Sequence, residues 1–282
     1  MPTFETPGPI SVTIELLVGD ALITAGERAD TVVDVRPTDE SSEQDVKAAA
    51  QTRVDYSDGR LLIRTPKNSR HYRPSGGDGS VDVRIELPAG SQIHGKAALA
   101  ALRCEGRLGE CRLSNAAGDI ELAQTGALHV NSASGDITVD RADGDAYAVT
   151  AAGAVRIRAI GGTGVIKSSS GDTWVGEAGG DLRVNAANGG ITVDHARSDL
   201  TASTASGDIR VGEVVRGAVS AKTAYGEVEI GVRDGTAAWL DAHTQFGTVH
   251  NYMDSADPPA SRDDTVEVRA RTSFGDIIVR HS

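Results

Sequence analysis

The sequence predicts an all-β fold. It reads as a parallel β-solenoid (β-helix) of ~18-residue two-strand coils, with an N-terminal β-rich cap containing one short helix. Three observations predict this. A short phrase built on an anchor glycine recurs at a nearly fixed spacing. Each repeat holds two segments in which apolar and polar residues alternate. The composition suits a narrow core, with 33 glycines in 282 residues and only 4% aromatic residues.

The phrase is small polar, small, variable, Gly, often acidic, aliphatic, variable, aliphatic. It reads NAAGDIEL from Asn115, SASGDITV from Ser132, TAAGAVRI from Thr150, SSSGDTWV from Ser168 and AANGGITV from Ala186. It continues as TASGDIRV from Thr204, TAYGEVEI from Thr223, TQFGTVHN from Thr244 and TSFGDIIV from Thr272. The anchors Gly118, Gly135, Gly153, Gly171, Gly189, Gly207, Gly226, Gly247 and Gly275 are spaced 17, 18, 18, 18, 18, 19, 21 and 28 residues apart. A second strand follows each anchor by about nine residues, as in ALHV from Ala127 and DLRV from Asp181. Eighteen residues are too few for a helix and a strand, but they suit two short strands and two tight turns. Such a strip buries its apolar face only by stacking on copies of itself. Ile137 and Val139 then point inward and Thr138 outward.

Two regions flank the repeats. Residues 1–90 are expected to cap one open end, with strands near 11–17, 20–24, 31–36, 61–64 and 81–87. They also hold a helix at about 42–53, with Ser41 and Gln44 at capping-box spacing. Residues 91–282 form the solenoid, which ends in an irregular C-terminal cap at the polar loop 252–266.

Several function classes are disfavoured. A net charge of −12 argues against nucleic-acid binding and against attachment to anionic membranes. No apolar run reaches 18 residues, and no basic n-region precedes an apolar stretch, so a cytoplasmic chain without direct membrane insertion is expected. The seven histidines lack metal spacing, and Cys104 and Cys111 fall in apolar slots, as buried small residues would. No P-loop, GxSxG or dinucleotide fingerprint occurs in context, and no cofactor is expected.

With GSVDVRIELPAGSQIHG at 79–95, the SGDITV-type repeats and the closing TSFGDIIV, the chain resembles the bacterial "putative adhesin" β-strand-repeat family, a domain of unknown function. The resemblance covers about residues 10–280. It implies the solenoid fold and supplies no catalytic residues. A surface adhesin would need a signal peptide and a wall anchor, which are not evident here.

Four groups of residues are candidates for function. Asp119, Asp136, Asp172, Asp208 and Asp276, with Glu227, follow the anchors. They read as turn chemistry rather than a calcium column, because Ala154 and Gly190 interrupt them. Ser132, Thr150, Ser168, Thr204, Thr223, Thr244 and Thr272 precede the anchors by three, so their hydroxyls should bond one another or nearby turn amides. Arg64, Lys67, Arg70 and Arg73 mark a basic loop that could dock an acidic partner or a phosphate, a plain solvated loop being the simpler reading. Tyr225, Phe246 and Phe274 replace small residues just before the last anchors, with Trp239 nearby in sequence. They are expected to stack as an aromatic ladder, either capping the core beneath Trp239 or forming an interaction patch. The reading is a non-enzymatic scaffold that binds an unknown protein or self-associates. An exported surface adhesin is the alternative, and a carbohydrate-active β-helix enzyme a second one.

Overall fold

A computed structural model describes residues 1–66, 79–253 and 265–282. It is a β-solenoid, and it divides into two compact units, Met1–Val139 and Asp140–Ser282. No helix among the described residues is long and apolar enough to cross a membrane.

The first unit opens with β1 (Thr3–Glu5), β2 (Ser11–Gly26), β3 (Asp30–Pro37), α1 (Glu43–Gln51), β4 (Arg53–Ser57), β5 (Arg60–Arg64), β6 (Val81–Pro88) and β7 (Gln92–Arg107). The two strands expected at 11–17 and 20–24 are one 16-residue strand, β2. Gly19, at φ +132°, lies within it; a Cβ there would meet the Val81 carbonyl oxygen, so only glycine allows the two backbones to approach. One side of β2 pairs in parallel with β5 and then β6, and the other side with β7. The coils therefore begin inside the first 90 residues.

Those residues also close the stack. β3 and β4 run antiparallel to β6 and β5, and β1 runs antiparallel to β3, so the outer coil does not present a bare parallel edge. Helix α1 starts one residue later than the sequence suggested. Ser42 is its N-cap, accepting from the Asp45 N–H, while the Ser41 hydroxyl donates to Asp39.

The repeats follow as β8 (Cys111–Ala117), β9 (Ile120–Thr125), β10 (Leu128–Ser134) and β11 (Ile137–Ala142), with β8 pairing in parallel with β7 and β10. Cys104 and Cys111 are buried thiols; burial pushes the Cys111 pKa up to about 11 and raises that of Cys104 as well.

The second unit contains β12 (Ala146–Ala152), β13 (Val155–Ile160), β14 (Gly164–Ser170), β15 (Thr173–Ala178), β16 (Leu182–Asn188), β17 (Ile191–Ala196) and β18 (Leu200–Ser203). It continues with β19 (Ile209–Val214), β20 (Gly217–Lys222), β21 (Val228–Val232), β22 (Ala237–Phe246), β23 (Val249–Asn251), β24 (Thr265–Phe274) and β25 (Ile277–His281). Equivalent residues stack in parallel at the sequence period, for example Val155, Thr173, Ile191, Ile209 and Val228. Val155, Ile157, Ile191 and Val193 are buried, as alternation requires.

At the anchors Gly118, Gly135, Gly171, Gly189, Gly207, Gly226 and Gly275 the backbone has positive φ, and a Cβ would strike the carbonyl oxygen of the neighbouring coil. At Gly207 that oxygen, from Gly189, would lie 2.2 Å away. Gly247 lacks the positive φ but makes the same close approach to the Gly275 carbonyl.

The stacking order departs from the chain order at the end of this unit. β24 lies between β20 and β22, and β25 lies between β21 and β23. Among the described residues, the coil made by β22 and β23 is therefore the terminal one.

Candidate functional site

The coil geometry first explains the polar columns. The carboxylates after the anchors bind backbone. Asp119, Asp172 and Asp208 accept at 2.8 Å from the N–H of Asp136, Gly190 and Glu227, the equivalent position one coil on. Asp276 accepts from the Thr248 N–H at 2.8 Å, which follows the spatial order and not the chain order. A receiving position needs only its N–H, so Gly190 can interrupt the column without breaking it.

The hydroxyl column behaves differently from the sequence expectation. The hydroxyls neither bond one another nor accept from turn amides; they donate to turn carbonyls. Thr204, Thr223, Thr272 and Thr244 donate to the anchor carbonyls of Gly189, Gly207, Gly226 and Gly275 at 3.2, 2.9, 3.0 and 2.9 Å. A buried turn oxygen left unpaired would cost free energy, and these threonines remove that cost.

The basic loop is only partly placed. Arg64 lies in β5 and its Nε pairs with the Glu15 carboxylate at 2.9 Å, so it supports the β2–β5 contact. Lys67, Arg70 and Arg73 lie outside the described residues.

The position before each anchor carries the most distinctive surface. In the second unit it runs Ala152, Ser170, Asn188, Ser206, Tyr225, Phe274 and Phe246 in stacking order. The Tyr225 and Phe274 rings stack at 5.0 Å and 1°, and Phe274 and Phe246 at 4.8 Å and 11°. These distances match the spacing between paired strands, so the backbone repeat itself sets the ladder. The sequence placed Phe246 in the middle; the inserted β24 puts Phe274 there instead.

The rings are not covered by the described chain. Tyr225 is 59%, Phe274 44% and Phe246 59% exposed. Trp239 does not roof them. It lies seven residues before Phe246 on β22, up to ~23 Å away along an extended strand, and is itself 56% exposed.

Further exposed apolar residues on the terminal coil are Val249 and Tyr252, and Tyr252 stacks on His250 at 6.1 Å. Sequence reasoning did not single these out, because Tyr252 reads as the start of a polar loop. The signal available was the clustering of aromatic residues in a chain that has few.

Two ion-pair groups lie on the last coils. Arg271 bonds the Asp241 carboxylate and holds its pKa below the usual range. Glu229 sits between Arg210 and Arg280, each at 2.7 Å. Burial raises the Glu229 pKa, but the hydrogen bonds from Arg280 and Arg210 outweigh it, and the net shift is downward. Arg280 joins this group only because β25 stacks directly on β21.

A solenoid of parallel strand coils, carrying columns of side chains at strand spacing, defines a β-repeat protein. The chain belongs to the Toastrack DUF4097 family, whose model matches residues 13–280. Among solved structures it is similar to a "putative adhesin" from Parabacteroides merdae, with TM-score 0.49, 15% identity, and 82% of this chain and 94% of that chain covered. It is similar to another from Bacteroides fragilis, with TM-score 0.38, 10% identity, and 99% and 95% covered. A third is a "putative lipid binding protein" from Parabacteroides distasonis, with TM-score 0.32, 11% identity, and 100% and 94% covered. No curated protein sequence matches the chain. Identities this low carry no residue roles across.

Proposed function

We propose that this protein is a non-enzymatic binding scaffold whose contact surface is the aromatic ladder on its last coils. The observation that carries the reading is the exposure of Tyr225, Phe274 and Phe246 at a column that the repeats from Ala117 to Ser206 fill with Ala, Ser or Asn, Leu99 being the exposed apolar residue of that column in the first unit. The architecture does not need bulk there, and exposed apolar patches mark partner sites.

The test is stability against exposure. Phe246→Ser should leave the melting temperature within a few degrees of the parent, since a surface substitution changes stability by about 0.5 kcal/mol or less. Hydrophobic-dye binding to the native protein should fall. A large loss of stability would assign the ladder to the core and end the reading.

A further inference from the structure

We infer that the terminal coil of the second unit docks onto a second copy of this chain, edge to edge through β22, with Ala242 on the two-fold axis. This rests on the reading of the ladder as a contact surface and adds its occupant.

The coil has the composition of an interface centre. Residues 237–253 read AAWLDAHTQFGTVHNYM, with Asp241 the one acidic side chain and no Lys or Arg, in a chain that is 24% charged. Trp239, Phe246 and Tyr252 lie in it, with Phe274 and Tyr225 stacked behind. Depletion of charge with enrichment of aromatic residues is the signature of a buried interface. The low charge also keeps the chain's net −12 away from the contact. The three rings on the terminal coil, exposed by 56–65%, present about 360 Å², at ~200 Å² per aromatic side chain. A standard interface takes about 800 Å² from each partner, and the strand edge and its polar rim add to the rings.

The backbone selects the kind of occupant. Among the described residues β22 pairs with β24 on one side only. Thr223 N–H donates to the Arg271 carbonyl at 3.0 Å, so the backbone of Arg271 faces β20, and Ala270 and Thr272 face β22. In a parallel pair those two meet the N–H and C=O of His243. Alternation then leaves Leu240, Ala242 and Thr244 with backbone groups aimed at the open edge. Another strand edge satisfies such a row, and a second copy supplies an identical one.

Symmetry selects the register. A two-fold contact pairs β22 with itself antiparallel. Centring on Ala242 pairs 238–246 with itself and makes the Ala242 pair a hydrogen-bonded one. It sets Asp241 opposite His243 of the second copy, twice. Centring on Asp241 would set two carboxylates face to face, which is unfavourable.

The experiment uses the full chain. Sedimentation across micromolar to submillimolar concentrations should show a dimer, and Phe246→Ser should weaken it at least tenfold. Under a mild oxidant, Ala242→Cys should form a covalent dimer. The two Cα atoms would lie ~5.5 Å apart, within disulfide reach. Gln245→Cys lies three residues from the axis in each copy, so it should not cross-link. A parent that stays monomeric overturns the second-copy assignment. If its Phe246→Ser variant still melts normally, the contact-surface reading stands alone. Equal cross-linking at 242 and 245, or a dimer that does not cross-link at 242, overturns the edge register.

Discussion

Replacing Gly189 with alanine, and separately replacing its neighbour Gly190, should move stability in opposite directions. Gly189 is an anchor at φ +138°, and an added Cβ would lie 2.3 Å from the carbonyl oxygen of Gly171 on the adjacent coil. Holding a non-glycine residue in that backbone region costs about 1–3 kcal/mol. Pushing two hydrogen-bonded backbones apart adds ~1–3 kcal/mol, as overpacking does. Gly190 is not at positive φ, and its nearest prospective neighbours are at 3.6 Å, an ordinary contact. Its N–H bond to Asp172 survives the substitution. Alanine there should stabilise by ~0.4–1 kcal/mol through the unfolded chain. Urea unfolding followed by circular dichroism should therefore separate the two variants by at least about 2.5 kcal/mol, with the parent between them. Equal midpoints, or a neutral Gly189→Ala, would refute the claim that anchor glycines exist to let coils approach.

Two other perturbations test the register and the charges. Ile137→Asp should cost about 3–5 kcal/mol by burying an unpaired charge, while Thr138→Asp should stay within about 1 kcal/mol; similar thermal melts would show that the alternation assigned to β11 is wrong. Glu229→Gln should cost ~1 kcal/mol near neutral pH, because Glu229 holds two arginines. The folded-state pKa of Glu229 is lowered, so its contribution is complete above the ordinary value near ~4.3 and disappears as pH falls through the folded value. The gap between parent and variant should thus be flat at neutral pH and close in acid; a gap that widened in acid would show that the shift has the other sign.

The period made most of the fold legible. Gly171, Gly189 and Gly207 recur because each coil needs the same close approach, and the alternation was legible because the inward residues are small or aliphatic and buried. Asp172 and Asp208 were visible as a column, but their role was not, since a carboxylate bonding the next coil's N–H reads the same as one in a local turn. β2 looked like two strands because Gly19 and Asp20 are turn residues in most settings; pairing on both sides carries the strand through Gly19 despite its positive φ. Ser41 and Ser42 both fit an N-cap, and the choice fell to Asp45, whose N–H meets Ser42. The ladder's members were legible from the sudden appearance of rings before the last anchors. Their order was not, because nothing in a repeat states which copy stacks on which. Trp239 was close to the ladder in sequence but lies along the strand from it, not above it.

The insertion of β24 and β25 has a consequence for assembly. A coil stack normally grows like a zipper, each new turn settling on the one made before it. Here that rule fails for 237–251, because its neighbour on the stack is a segment made later in the chain. When a growing chain has reached residue 253, this coil has no seat of its own. The free edge of the coil before it is exactly matched to a different segment, Thr265–His281, which does not yet exist. Two coils must therefore close together as a single late step, and the apolar rings they carry stay without their partners until it happens. Shortening the chain before residue 265 should strip off both coils rather than one, which makes this end a clasp instead of a run of interchangeable turns.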